Sequence, residues 1–223
     1  MIGDSTMANK TTPGDHPMER GWGMVLPEFF NSKIKVDNHA VNGRSSKSFR
    51  DEGRWTKVYD QIKPGDYVFI QFGHNDEKAD TLLNTDPETS YKSNLTRYVK
   101  ETRERGGVPV LFTSIVRRTF NPDGTLRDTH GAYIDALRKV AVKLNVVCID
   151  LNDATGKLLL SMGDDPSKTL YMWTAPTATN PTLETRKDNT HLNIEGAHTV
   201  AQIALDSIRI KIPALRKYIL KRK

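Results

Sequence analysis

The sequence predicts an α/β protein built on a single doubly wound parallel sheet with helices on both faces. Two observations carry that expectation. Short apolar runs rich in β-branched and aromatic residues alternate with longer amphipathic stretches, the pattern of successive βαβ units. Each run also has the length of a strand buried on both sides rather than of a helix.

Taken in order, Met1-Ile2-Gly3 reads as the last stub of a first strand, so a truncated first strand, or a start assigned too far downstream, is expected. An absent central strand would leave its neighbours without hydrogen-bond partners. The further strand candidates are Ile34–Val41, Tyr67–Phe72, Val108–Val116 and Val146–Leu151. Helices are expected between and after them, over Gly23–Phe30, Thr56–Ile62, Ser90–Arg105, Gly131–Leu144, Ala154–Met162 and Ile194–Ile212. Two polar stretches, Asp76–Thr89 and Tyr171–Lys187, read as long loops, and loops of that length in a compact domain are more often functional than idle.

The 223 residues suit one domain, 1–223, with a real core. A 37% apolar share and a mean hydropathy of −0.56 are low for a globular enzyme but far from a disordered composition. No apolar run approaches the roughly 18 residues of a membrane span, and the printed start leaves no room for a signal peptide. The formal charge of +6 is local. Seven basic residues and no acidic one lie between Arg209 and Lys223, and without them 26 basic residues face 27 acidic ones. The balance therefore belongs to a basic tail, 209–223, and does not indicate nucleic acid. The tail reads as a solvated end, with contact to an anionic polymer or surface as the alternative. Cys148, alone in an apolar segment, reads as a buried structural thiol. No His/Cys/Asp grouping has close structural-metal spacing, so no metal site is expected.

Four polar clusters follow strands or precede a helix. Ser5 stands in Gly3-Asp4-Ser5-Thr6-Met7-Ala8, Gly43 in Asn42-Gly43-Arg44-Ser45, Asn75 in Gly73-His74-Asn75-Asp76, and His191 in Asp188-Asn189-Thr190-His191. A serine is a weak nucleophile until a positioned base takes its proton, and the base needs a partner that fixes its tautomer. Singly, Ser5 could be a helix cap and Gly43 and Asn75 turn residues. Jointly, with Ser5, Gly43 and Asn75 all at the carboxyl ends of strands, where open α/β sheets bind ligands, they predict a serine esterase. His191 is expected on a lead-in loop ahead of the last helix.

In order and spacing the four clusters resemble the blocks of the SGNH (GDSL-type) hydrolases. The resemblance implies their flavodoxin-like fold, Ser5 as nucleophile, His191 as base oriented by Asp188, and no cofactor. It implies an oxyanion hole made by the backbone N–H groups of Ser5 and Gly43 and the side-chain amide of Asn75. The variants Gly3-Asp4-Ser5-Thr6-Met7-Ala8, Gly43-Arg44-Ser45-Ser46-Lys47-Ser48-Phe49, Phe72-Gly73-His74-Asn75-Asp76 and Asp188-Asn189-Thr190-His191-Leu192-Asn193 are similar to the rhamnogalacturonan acetylesterase branch. That similarity implies O-deacetylation of a pectic polysaccharide and a secreted or periplasmic location.

Arg117 and Arg118 follow a predicted strand and, with Arg44, are candidates to grip uronate carboxylates, because guanidinium matches carboxylate geometry; solvated surface arginines are the bland alternative. His74 either shapes the site and touches substrate or makes a local bond, and Asp76 is expected to hold its loop. Trp22 and Trp173 are candidates for stacking on sugars or for the core. A lipid- or thioester-directed esterase and a non-catalytic glycan-binding relative stay open as alternatives.

Overall fold

The computed structural model describes residues 1–11, 16–178 and 180–220. Strand β1 (Ile2–Gly3) is followed by the short helix α1 (Trp22–Val25), which continues as a 3-10 turn over Leu26–Phe29, and by helices α2 (Ser48–Asp51) and α3 (Arg54–Tyr59). Next come β2 (Tyr67–Gln71), α4 (Ser90–Glu104), β3 (Val108–Phe112), α5 (Ala132–Leu144) and β4 (Val147–Ile149). The last part holds α6 (Leu151–Met162), α7 (Asp164–Ser167), strands β5 (Tyr171–Thr174) and β6 (Arg186–Leu192), α8 (Ile194–Lys211) and α9 (Pro213–Arg216).

Strands β1 to β4 form one parallel sheet in that spatial order, with Ile2 opposite Ile70, Tyr67 opposite Val108 and Val110 opposite Val147. Side-chain alternation sorts two cores onto its faces. Val68, Ile70 and Leu111 pack with Tyr91, Leu95, Tyr98 and Leu137 of α4 and α5. Phe69, Val110 and Phe112 turn the other way, onto Trp22, Leu26, Ala201 and Leu205 of the α1 and α8 layer. Both faces are covered, as the near-continuous apolar runs require.

Segment Ile34–Val41, expected as a strand, is not a regular one. It runs parallel beside β1, tied by hydrogen bonds from the amides of His39 and Val41 to the carbonyls of Met1 and Gly3. The chain thus flanks β1 first with this segment on one side and then with β2 on the other. A reversal of winding direction opens a crevice beyond the carboxyl end of the strand at which it occurs, and here that strand is β1, followed at once by Ser5.

The stretch Tyr171–Lys187, expected as a loop, contributes β5 and the first residues of β6, an antiparallel pair. His191 accordingly lies on a strand rather than on a lead-in loop. Polar β6 carries little apolar alternation, which hid it from a periodicity reading. Helix ends follow local chemistry. Asp150 caps α6 by accepting from the Asp153 amide, Asn193 caps α8 by accepting from the Gly196 amide, and α5 stops where Asn145 turns left-handed (φ 48°). The basic tail is less free than its composition suggests. The side chains of Arg209, Lys211 and Arg216 donate to the carbonyls of Leu220, Cys148 and Arg209, while Ile219 is buried; residues 221–223 lie outside the described chain. Burial, aided by the Asp150 charge, pushes the Cys148 thiol up to about 11, as suits a structural cysteine.

Gly73 lies just past the end of β2 at φ 153°, and a Cβ there would overlap the Ser114 hydroxyl oxygen. Gly73→Ala is therefore expected to cost about 1–3 kcal/mol through backbone strain and overpacking, read as a lowered urea midpoint. Adding Ser114→Ala should return part of that loss. An unchanged midpoint in Gly73→Ala would show that the turn tolerates a side chain.

Candidate active site

The turn after β1 is built by Asp4. Its buried carboxylate accepts from the Thr6 amide (3.0 Å) and hydroxyl (2.9 Å), and its carbonyl accepts from the amides of Met7 and Ala8. Burial raises the Asp4 carboxyl above the ordinary range, against the pull of the Thr6 bonds. This turn leaves Ser5 only 8% exposed, its hydroxyl at the wall of a cleft of about 690 Å³.

His191 arrives from β6. Asp188 Oδ1 accepts from the amides of Thr190 (2.7 Å) and His191 (2.9 Å), which curls the strand back on its own carboxylate. Asp188 Oδ2 lies 2.7 Å from His191 Nδ1, and His191 Nε2 lies 2.9 Å from Ser5 Oγ. A carboxylate only accepts, so Nδ1 carries the proton and Nε2 presents its lone pair to the serine hydroxyl. Burial works to raise the Asp188 carboxyl, but the hydrogen bonds and charge of His191 and the amides overcome it and hold it well below the usual range. It stays ionised, and an ionised partner both fixes the ring and stabilises an imidazolium.

Gly43 and Asn75 line the same cleft as Ser5 and His191. Gly43 adopts φ 74°, which favours glycine, and nothing stands within 4 Å of where its Cβ would be. The Asn75 amide donates one hydrogen to the Arg44 carbonyl (3.0 Å), leaving its second N–H for another acceptor. Asp76 locks these two loops together. It is fully buried and accepts from the Ser46 amide and hydroxyl and from the Thr85 hydroxyl. Burial pushes its carboxyl up to about 7 despite those bonds.

The substrate-facing candidates fall elsewhere. Arg118 is 4% exposed, bonded to Asn189 and Asp164 and stacked over Trp173 at 4.9 Å, so it pins β6 beneath the site instead of lining the cleft. Arg117 is engaged by Glu77 and by the carbonyls of Thr129 and His74, and Arg44 by Glu52 and the Asn42 carbonyl. Each has protein acceptors, and none of the three is among the described residues that line the cleft. His74 is buried edge-on against His130 (4.6 Å), and burial holds its ring well below the usual imidazole range. Trp22 is core, donating to the Gln71 side chain at 2.9 Å, and Trp173 donates to Asn189 at 2.8 Å.

The cleft's cations are instead Lys10, Lys78 and Arg186, none of which the motifs singled out. Arg186 had a readable signal, since it stands two residues before Asp188 and so shares its face of β6. Among the described residues no group of three His, Cys, Asp or Glu side chains could hold a metal ion.

The comparisons with known proteins show the family. The GDSL-like lipase/acylhydrolase family matches residues 1–198, and the chain belongs to that family; it is a carboxylic ester hydrolase. It is 38% identical over 208 residues to the rhamnogalacturonan acetylesterase RhgT of Bacillus subtilis, covering 93% of this chain and 88% of that one. It is 33% identical over 210 residues to the probable rhamnogalacturonan acetylesterase YesY of the same organism, covering 94% and 91%. Among solved structures, that of YxiM from B. subtilis superposes with a TM-score of 0.76 at 25% identity over 94% of this chain and 55% of that one. The acetylxylan esterase Axe2 of Geobacillus stearothermophilus shares the fold, with a TM-score of 0.66 at 18% identity over 93% and 91%.

The raised Asp76 carboxyl gives a pH signature. Folded Asp76 holds its proton up to about pH 7, whereas the unfolded group loses it near pH 4. Between those values the folded state binds more protons, so stability falls as pH rises through the window and levels off above it. Urea unfolding at pH 4.5 and 7.5 should show that fall, smaller in Asp76→Asn. Equal falls in both proteins would mean Asp76 is ionised throughout.

Proposed function

We propose that this chain is a serine acetylesterase that removes O-acetyl groups from a pectic polysaccharide, most directly acetylated rhamnogalacturonan. The observation that carries the reading is the continuous path from Asp188 through His191 to Ser5, with contacts of 2.7 and 2.9 Å. Ser5 Oγ attacks the acetyl carbonyl carbon as His191 Nε2 takes its proton. The negative oxygen that develops is met by the backbone N–H groups of Ser5 and Gly43 and by the Asn75 amide. Collapse breaks the ester bond, and His191 gives the proton to the departing sugar oxygen, which leaves as a hydroxyl. Water, deprotonated by the same nitrogen, then attacks the acetyl-serine carbonyl carbon; the bond to Ser5 Oγ breaks, His191 returns the proton to that oxygen, and acetate leaves.

Substrate class is supported from two sides. Of the described residues lining the cleft only Pro17 and Leu183 are apolar, which suits a hydroxyl-rich sugar and a small acyl group better than a long acyl chain. Of two relatives more than 30% identical over most of the chain, one bears the name rhamnogalacturonan acetylesterase and the other the name probable rhamnogalacturonan acetylesterase. A pectic polymer is met outside the cytoplasm, so a secreted or periplasmic location follows from the same reading. The exposed Lys78 ammonium makes no hydrogen bond or ion pair among the described residues, which leaves it able to meet a uronate carboxylate.

Ser5→Ala is expected to lower kcat by about 10⁶, and a tenth of normal turnover surviving would defeat the covalent mechanism. Asn75→Ala should lower kcat by about 10²–10³ with KM nearly constant, because its amide acts once the oxyanion forms. A normal kcat with a raised KM would make it a ground-state contact.

Acetate release from acetylated rhamnogalacturonan, homogalacturonan and xylan should be fastest on the first. Lys78→Ala should raise KM there about threefold or more, as for one partly screened ion pair, and spare p-nitrophenyl acetate. Faster turnover on neutral xylan would sink the substrate assignment and leave the esterase intact.

A further inference from the structure

The carboxylate that orients the base is itself gripped from behind. Asp188 Oδ2 accepts not only from His191 Nδ1 but also from Arg186 Nη2, at 2.7 Å each. The other arm of the same guanidinium, Nη1, donates to Glu19 Oε2 at 2.7 Å. Glu19 Oε1 in turn meets the Lys10 ammonium at 2.9 Å, and that ammonium donates to Asn42 Oδ1 at 2.5 Å. A line of alternating charge therefore runs from the residue before Gly43, through Lys10, Glu19 and Arg186, to Asp188. Its inner members are well shielded, with side-chain exposures of 1% for Lys10 and 9% for Glu19. Burial works to raise the Glu19 carboxyl, but the charges of Lys10, His191 and Arg186 hold it below the ordinary range, so it remains an anion.

We propose that Arg186 and Glu19 are positioning residues that act through Asp188: a charge-balanced strut that holds the carboxylate against His191 and sets how tightly the ring keeps its proton. This rests on the triad reading of Ser5, His191 and Asp188. Arg186 takes a share of the one oxygen that His191 uses and adds a positive charge behind it, which disfavours the imidazolium. Glu19 returns a negative charge and keeps Arg186 from leaning fully onto Asp188. The two act in opposite senses, which a purely structural pair would not do. Asp4, buried under the Ser5 turn, and His74, beside Asn75, also interact with His191, and His16, Lys78 and Glu184 line the same cleft; the substitutions below leave all of them in place.

The test is the pH dependence of kcat/KM with p-nitrophenyl acetate, a neutral ester too small to need the glycan contacts. Its acid limb reports the protonation of the free enzyme's base. The limb's midpoint does not depend on how much of a variant folds, so destabilisation from opening a shielded pair does not obscure it. Arg186→Gln should move the midpoint to higher pH by about half a unit or more, as expected for removing a neighbouring like charge. Glu19→Gln should move it to lower pH. The double variant Glu19→Gln/Arg186→Gln should lie near the wild type, and Arg186→Lys, which keeps the charge, should stay close to it.

Should Glu19→Gln prove inactive, the Arg186→Gln shift alone decides. An acid limb that stays put in Arg186→Gln, or one that moves the same way in both single variants, overturns the proposal. Ser5→Ala in the same assay separates the two levels. Activity that survives it defeats the triad itself, whereas Ser5-dependent activity with an unmoved limb defeats only the strut.

Discussion

The 2.9 Å hydrogen bond from the Ser5 hydroxyl to His191 Nε2 closes a loop of 186 residues between the two ends of the chain, and the polar architecture around it serves to hold those ends in register. On one side a strand of two residues, flanked on both edges, delivers Ser5 at the crevice. On the other, a polar hairpin that forms no part of the main sheet delivers His191. Arg20 donates its amide to the Leu192 carbonyl and Glu19 bridges Asn193, so the loop after the Ser5 turn is stitched to the strand that carries His191. Arg118, with its guanidinium on Asn189 and its amide on the Asn189 carbonyl, fastens that strand from the other side.

Two carboxyl groups, Asp76 buried and Asp188 half-buried, show how differently the fold uses the same group. Asp76 sits among neutral donors and close to Asp4, so desolvation wins and its carboxyl is pushed up to about 7. Asp188 suffers desolvation too, but charged and backbone donors on both its oxygens outweigh it and keep it ionised. The first arrangement suits a joint between loops, where a fixed hydrogen-bond pattern matters more than charge. The second suits a group that must be negative while a neighbouring ring becomes positive.

Much of this was legible in the residues. Strands β2, β3 and β4 and helices α4, α5 and α8 follow apolar periodicity strong enough to survive without tertiary context, and the four polar clusters meet where a switch point in an open sheet puts them. The polar hairpin was not legible, because Arg186–Leu192 offers almost no alternation and owes its strand geometry to pairing with Tyr171–Thr174. Nor were the roles of the arginines. Sequence placed Arg44, Arg117 and Arg118 near the rim, but whether a guanidinium reaches outward depends on acceptors such as Glu52, Glu77 and Asp164, whose positions only the fold decides. Lys10 and Glu19 carried no motif at all; their pairing across the cleft is a product of packing.

The covalent role proposed for Ser5 is open to direct observation. The protein would be mixed with p-nitrophenyl acetate, quenched in acid within the first turnovers, digested and mapped by mass spectrometry. The account predicts one added acetyl group on the peptide that holds Ser5, and its loss when His191-assisted hydrolysis is allowed to run to completion. An acetyl group on any other residue, or full turnover with no acyl-enzyme trapped even in a His191→Ala variant acylated slowly to saturation, would contradict it.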